Sequence, residues 1–119
     1  MSAIIYHNPR CSKSRATLEL LRSHGVEPEI VLYLDDPPSA ETLAELAGKM
    51  GLDAPALLRA GEPAWAALGL EASATAPETL FRIMAEHPVL IQRPIVVIGG
   101  RARIGRPPEA VLDLLDSSR

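Results

Sequence analysis

A single cysteine, Cys11, is all the thiol chemistry available to this 119-residue chain. With no second thiol there is no internal disulfide to close, so any redox cycle must borrow a thiol from outside. Positive charge is also in short supply: 12 basic against 15 acidic residues leave a formal charge of −3. That balance removes any general attraction to nucleic acid or to an anionic membrane, and an anion site has to be built locally. No apolar run approaches the roughly 18 residues that a membrane-spanning helix requires. The N-terminus shows no basic segment followed by an apolar stretch and a small-residue cleavage site. The expected location is therefore the cytoplasm, where a free thiol persists. His, Cys, Asp and Glu nowhere cluster with metal-ligand spacing, so no bound metal or organic cofactor is expected.

What is present gathers around the cysteine. Tyr6-His7-Asn8-Pro9-Arg10-Cys11-Ser12-Lys13-Ser14-Arg15 runs from a strand-like stretch through an Asn-Pro turn into a helix-like stretch. A thiol at that junction sits at a helix N-terminus, where unpaired N–H groups and the positive end of the helix favour the thiolate. His7, Lys13 and Arg15 are placed to add positive charge. A buried, inert cysteine needs no such cationic neighbours. The spacing is C-x-x-S, with Ser14 where a dithiol motif would carry its second cysteine, and the natural resolving thiol is glutathione or a glutaredoxin-like protein.

Lysine is scarce as well, at 2 residues, so 10 of the 12 basic residues are arginine. Arg59 closes an apolar turn, Arg93 precedes Pro94 at the mouth of a strand, and Arg106 precedes Pro107-Pro108. Planar, permanently charged guanidinium groups suit the oxygens of a tetrahedral oxyanion.

The periodicity predicts a strand over Ala3 to Tyr6, a helix from about Ser12 to His24 closed by Gly25, and a strand over Glu29 to Leu34. This is a βαβ unit with a parallel pair. Ser39 is a cap for a helix carrying Leu43, Leu46, Ala47 and Met50 on one face, with Gly51 as its stop. Further helical pieces are expected over Ala54 to Ala60 and Pro63 to Leu68, then a longer helix opened by a capping box at Thr75-Ala76-Pro77-Glu78. Pro94 opens a hairpin, Ile95 to Ile98 and Arg101 to Ile104 about Gly99-Gly100, and a last helix starts at Pro107 with Val111, Leu114 and Leu115 on one face. The order βαβ, helical insertion at about 39–87, β-hairpin, α is that of an α/β protein with a thioredoxin-like fold and a mixed four-stranded sheet, one domain over 1–119. In such a sheet Cys11 and Arg93-Pro94 meet.

Across nearly the whole chain these residues resemble the glutathione- and glutaredoxin-coupled arsenate reductases, the ArsC family. The matching pieces are Tyr-His-Asn-Pro-x-Cys, Leu-Tyr-Leu with Pro-Pro shortly after, Ala56-Leu57-Leu58-Arg59, His87-Pro88-x-Leu-Ile-x-Arg93-Pro94-Ile95-Val96-Val97, and Arg106-Pro107. Asn-Pro-Arg-Cys-Ser-Lys-Ser-Arg and Ala-Arg-Ile-Gly-Arg-Pro-Pro-Glu resemble a shorter, YfgD-like branch, whereas the best-characterised members carry Cys-Gly-Thr-Ser-Arg at the motif. The resemblance implies Cys11 as nucleophile, Arg59, Arg93 and Arg106 as the oxyanion's ligands, His7 in lowering the thiol pKa, and Pro94 as a cis proline. Helix polarity could activate Cys11 unaided, leaving His7 as a turn residue. Ser14 and Arg15 either orient the thiolate and the anion or are first-turn polar residues.

The function so implied is reduction of arsenate to arsenite through a covalent cysteine–arsenic adduct, in arsenic detoxification. Arsenate or a similar oxyanion, glutathione as co-substrate, and glutaredoxin are the expected partners of a monomer. Two rival readings are a regulator of the Spx type, which shares the fold and binds RNA polymerase, and a general monothiol oxidoreductase. Ser14 weighs against a redox-sensing Spx switch, since that switch uses a C-x-x-C pair, and a C-x3-R spacing does not fit the C-x5-R anion loop of low-molecular-weight tyrosine phosphatases.

Overall fold

In the computed structural model, which describes residues 2–116, the chain divides into two compact units. The first joins the stretch ending at Tyr33 to the stretch beginning at Arg93; the second is Leu34–Gln92.

The first unit is built on four strands, β1 (Ala3–His7), β2 (Glu29–Leu32), β3 (Ile95–Ile98) and β4 (Arg101–Ile104), in the order β2-β1-β3-β4. β1 runs parallel to β2, and antiparallel pairing joins β1 to β3 and β3 to β4. With helix α1 (Ser12–Ser23) linking β1 to β2, this is the mixed sheet of a thioredoxin-like fold. β3 is buried at every position, as a continuous Ile-Val-Val-Ile run requires of a central strand. Ile5, Val96 and Ile98 from the sheet pack against Leu18 and Leu21 of α1 and against Val111 and Leu114 from the C-terminal stretch. Burying each such side chain contributes roughly 1.5–3 kcal/mol.

β2 stops at Leu32, short of the expected Leu34. Its last pairing is His7↔Leu32, and β1 offers no further ladder because Asn8-Pro9 turns away. Gly25 closes α1 as expected, with φ 80°, while Val26 N–H reaches back to Leu21 C=O at 2.9 Å. The C-terminal stretch begins as a tight 3-10 turn, Pro108–Val111, before α6 (Leu112–Asp116).

The second unit is helical, with α2 (Ala40–Met50), α3 (Ala54–Leu57), α4 (Pro63–Ala66) and α5 (Pro77–Glu86). Ser39 caps α2, its Oγ accepting from Thr42 N–H at 3.1 Å, and Gly51 ends it at φ 68°. The capping box at Thr75 does not form. Pro77 takes the first helical position, which makes Ala76 the cap; the Thr75 hydroxyl donates instead to Glu71 C=O at 2.6 Å. α3 and α4 are single turns, shorter than their apolar spans suggest: α3 ends where Leu58 turns extended and bridges Ile91, and α4 lies between Gly61 and Gly69. α5 packs on α2 and α3. No described helix is long and apolar enough to cross a membrane.

Candidate active site

Cys11 occupies the N-cap position of α1, in extended backbone at φ −94° and ψ 123°. The Asn8-Pro9-Arg10 turn delivers it there: Cys11 N–H donates to Asn8 C=O at 3.0 Å, and Arg10 N–H donates to Asn8 Oδ1 at 3.0 Å. Cys11 C=O then accepts the first helical hydrogen bond, from Arg15 N–H at 3.0 Å. The sulfur is thereby presented over the open end of the helix, partly exposed.

Partial burial alone pushes the Cys11 thiol up. The N–H groups of Ser14 and Lys13 oppose this, as do the charge of Arg93 and its hydrogen bond to the sulfur, and the net result holds the thiol below its ordinary value. The first turn of α1 carries no acidic residue to compete with the thiolate for those donors.

Arg93 stands at the entrance to β3, joined to the buried Pro94 by a cis peptide bond. Its charge favours the Cys11 thiolate, and its Nε and Nη1 are buried and have no partner among the described residues. Leaving a buried charged donor unpaired costs about 1–3 kcal/mol or more, so these two N–H groups are suited to an anionic acceptor beside the sulfur.

His7 does something other than supply charge. It is 6 % exposed, and burial, then the charges of Arg22 and Arg15, hold its imidazole below the usual histidine range. That shift favours the neutral ring, whereas the sequence places His7 among the residues able to add positive charge near Cys11. Its Nδ1 lies 2.6 Å from Ser14 Oγ, and that oxygen also accepts from Asn8 N–H at 3.0 Å. With the hydroxyl proton assigned to Nδ1, His7 fixes Ser14, which is fully buried, and with it the N–H that faces the thiolate. Ser14 is therefore a buried hinge pin of the loop and not a surface residue of the first turn.

Arg15 is exposed and donates from Nη1 to Pro9 C=O at 2.9 Å, so it braces the loop from outside. Arg106 follows β4, is exposed, and makes no hydrogen bond or ion pair among the described residues. Its bond to Pro107 is a second cis peptide, which nothing in the sequence pattern marks. Arg59 belongs to the second unit, where Nη1 pairs with Glu62 Oε2 at 3.0 Å. Among the described residues no group of three His, Cys, Asp or Glu is placed to hold a metal ion.

One residue packed against Pro94 and α1 escapes sequence reasoning. Gly105 N–H donates to Pro94 C=O at 2.9 Å, and its α-carbon faces Thr17 of α1 so closely that no side chain fits. A glycine at a strand end without a turn to explain it is the available signal of such close approach.

The comparisons with known proteins agree with this geometry. The ArsC family model matches residues 6–114. Escherichia coli K12 YfgD is 52 % identical over 93 % of this chain and 94 % of its own length. A protein of Haemophilus influenzae named arsenate reductase is 46 % identical, covering 97 % of this chain and 100 % of that one. The solved structure of an arsenate reductase from Vibrio cholerae superposes with a TM-score of 0.91 at 50 % identity, over 95 % of this chain and 97 % of that one. A thiolate-favouring helix N-terminus, an arginine with buried unpaired donors against it, and a match spanning both units together place the chain in the ArsC family.

Proposed function

We propose that the chain is an arsenate reductase that draws its electrons from glutathione and glutaredoxin. The observation that carries this reading is Arg93, whose charge favours the Cys11 thiolate and whose Nε and Nη1 are buried without a hydrogen-bond partner among the described residues. A tetrahedral oxyanion at that place would accept from both donors while its central atom faces the sulfur. Arg106 belongs to the same unit and has no hydrogen bond or ion pair among the described residues. The resemblance adds Arg59, which within its own unit pairs with Glu62.

Cys11 thiolate would attack arsenic, forming an S–As(V) bond as one oxygen leaves as water. Glutathione would then bond to the arsenic of the adduct as a second oxygen leaves as water. A glutaredoxin thiol would attack the glutathione sulfur, forming a glutathione–glutaredoxin disulfide while the electron pair of the broken As–S bond reduces As(V) to As(III), and water would cleave the remaining S–As bond to release arsenite and the Cys11 thiolate. In balance, one arsenic acid and two external thiols give one arsenous acid, one disulfide and one water. The relatives named arsenate reductase support this chemistry, and the single cysteine makes the external thiols obligatory.

Purified protein supplied with arsenate, glutathione, glutaredoxin and a disulfide-reducing system should release arsenite. Cys11→Ser should abolish release, because a hydroxyl is neither an adequate nucleophile nor an electron donor. Exchange of glutathione with a Cys11 mixed disulfide, without any arsenite production, would favour a general monothiol oxidoreductase instead.

A further inference from the structure

An ideal β-carbon built on Gly105 would lie 2.5 Å from Thr17 Oγ1, 3.0 Å from Thr17 Cγ2 and 2.9 Å from Pro94 Cγ. Backbone conformation does not require glycine here, because φ is not in the left-handed region; space does. Thr17 cannot swing aside, since it is fully buried and its hydroxyl donates to Lys13 C=O at 2.8 Å. Pro94 is buried too, and its carbonyl is tied to Gly105 by the 2.9 Å hydrogen bond. The Gly105 backbone thus fills the gap between α1, which begins at the Cys11 turn, and Pro94, which precedes β3 and follows Arg93. Any added atom must push one of them away from the other.

We propose that Gly105 is a positioning residue of the thiolate site: by having no side chain it lets Thr17 and Pro94 both close on its backbone, and so fixes where Arg93, joined to Pro94, stands relative to Cys11. The proposal rests on the reading of Cys11 and Arg93 as one site, and is independent of which anion they take. Gly105 touches neither the sulfur nor the anion. Its effect passes through Pro94 to the one cation that both favours the thiolate and offers buried donors.

The test is the pH dependence of Cys11 alkylation, which needs no arsenate. Gly105→Ala should raise the midpoint by about one pH unit, the change expected when an opposite charge at about 4–6 Å is withdrawn. On an Arg93→Ala background the same substitution should add no further rise, a result that a purely structural role would not produce. In Thr17→Ala/Gly105→Ala, where only the Pro94 contact remains, the midpoint should lie between wild type and the single variant. Should Gly105→Ala fail to fold, that double variant carries the test alone, and its midpoint must still exceed that of wild type. A wild-type midpoint in the folded Gly105 variants, with only the melting temperature lowered, would overturn the proposal. Arsenite release is read separately, so loss of the arsenate reading would leave this result standing.

Discussion

Cys11 and Arg93 divide the labour at the sulfur. The backbone N–H groups of Ser14 and Lys13 and the charge of Arg93 all favour the thiolate, while Arg93 Nε and Nη1 are buried with no hydrogen-bond partner among the described residues. The alkylation midpoint of Cys11 should accordingly fall below the free-thiol value of about 8.5. Arg93→Ala should raise it by about 1 pH unit or more. Arg93→Lys should raise it less, since an ammonium keeps the charge but loses the fork. A wild-type midpoint at or above about 8.5 would remove the activation argument. His7 acts at one remove, through Ser14. Because its pKa in the folded protein is lowered, the unfolded chain binds the extra proton more readily. The stability that neutral His7 lends is therefore fully present above about pH 6.5 and is lost as pH falls through the lower folded value. Denaturation midpoints at pH 7 and pH 5.5, compared between wild type and His7→Gln, should show a steeper acid-side loss in wild type. Equal losses would mean that the ring is not buried neutral.

The helix ends carry different duties. α1 opens with Lys13 and Arg15 and no acidic residue, against the ordinary preference of a helix N-terminus for negative charge. That arrangement leaves the thiolate as the local anion. α2 is conventional, with Glu41 in its first turn and Ser39 as a working cap. Ser39→Ala should lower unfolding stability by about 1 kcal/mol. Thr75→Ala, at the box that does not form, should stay within roughly 0.5 kcal/mol of wild type, because it removes only an exposed hydrogen bond. Chemical denaturation of both variants checks the contrast, and equal losses would contradict the capping assignment.

Across the whole molecule, the sequence announces what depends on local periodicity and on strong punctuation. The four strands, the βαβ unit, the Gly25 and Gly51 stops and the Cys11 position all follow from runs such as Ile95-Val96-Val97-Ile98 and from glycines whose φ is positive. What it hides depends on pairs distant in the chain. The short reach of β2 is set by the end of β1, and the neutrality of His7 by burial next to Arg22 and Arg15. The tight seat of Gly105 between Thr17 and Pro94 is likewise a tertiary fact. Thr75 misleads for a local reason, because a proline two residues on shifts the helix start by one. The central claim is that one cysteine performs the nucleophilic step and that all reducing power comes from outside. The most direct measurement is arsenite yield against external thiol, with enzyme in stoichiometric amount. The account predicts no arsenite in the absence of external thiol and two thiol equivalents consumed per arsenite when glutathione and glutaredoxin are supplied. Arsenite formed by the protein alone, or none formed with the full thiol system, would contradict it.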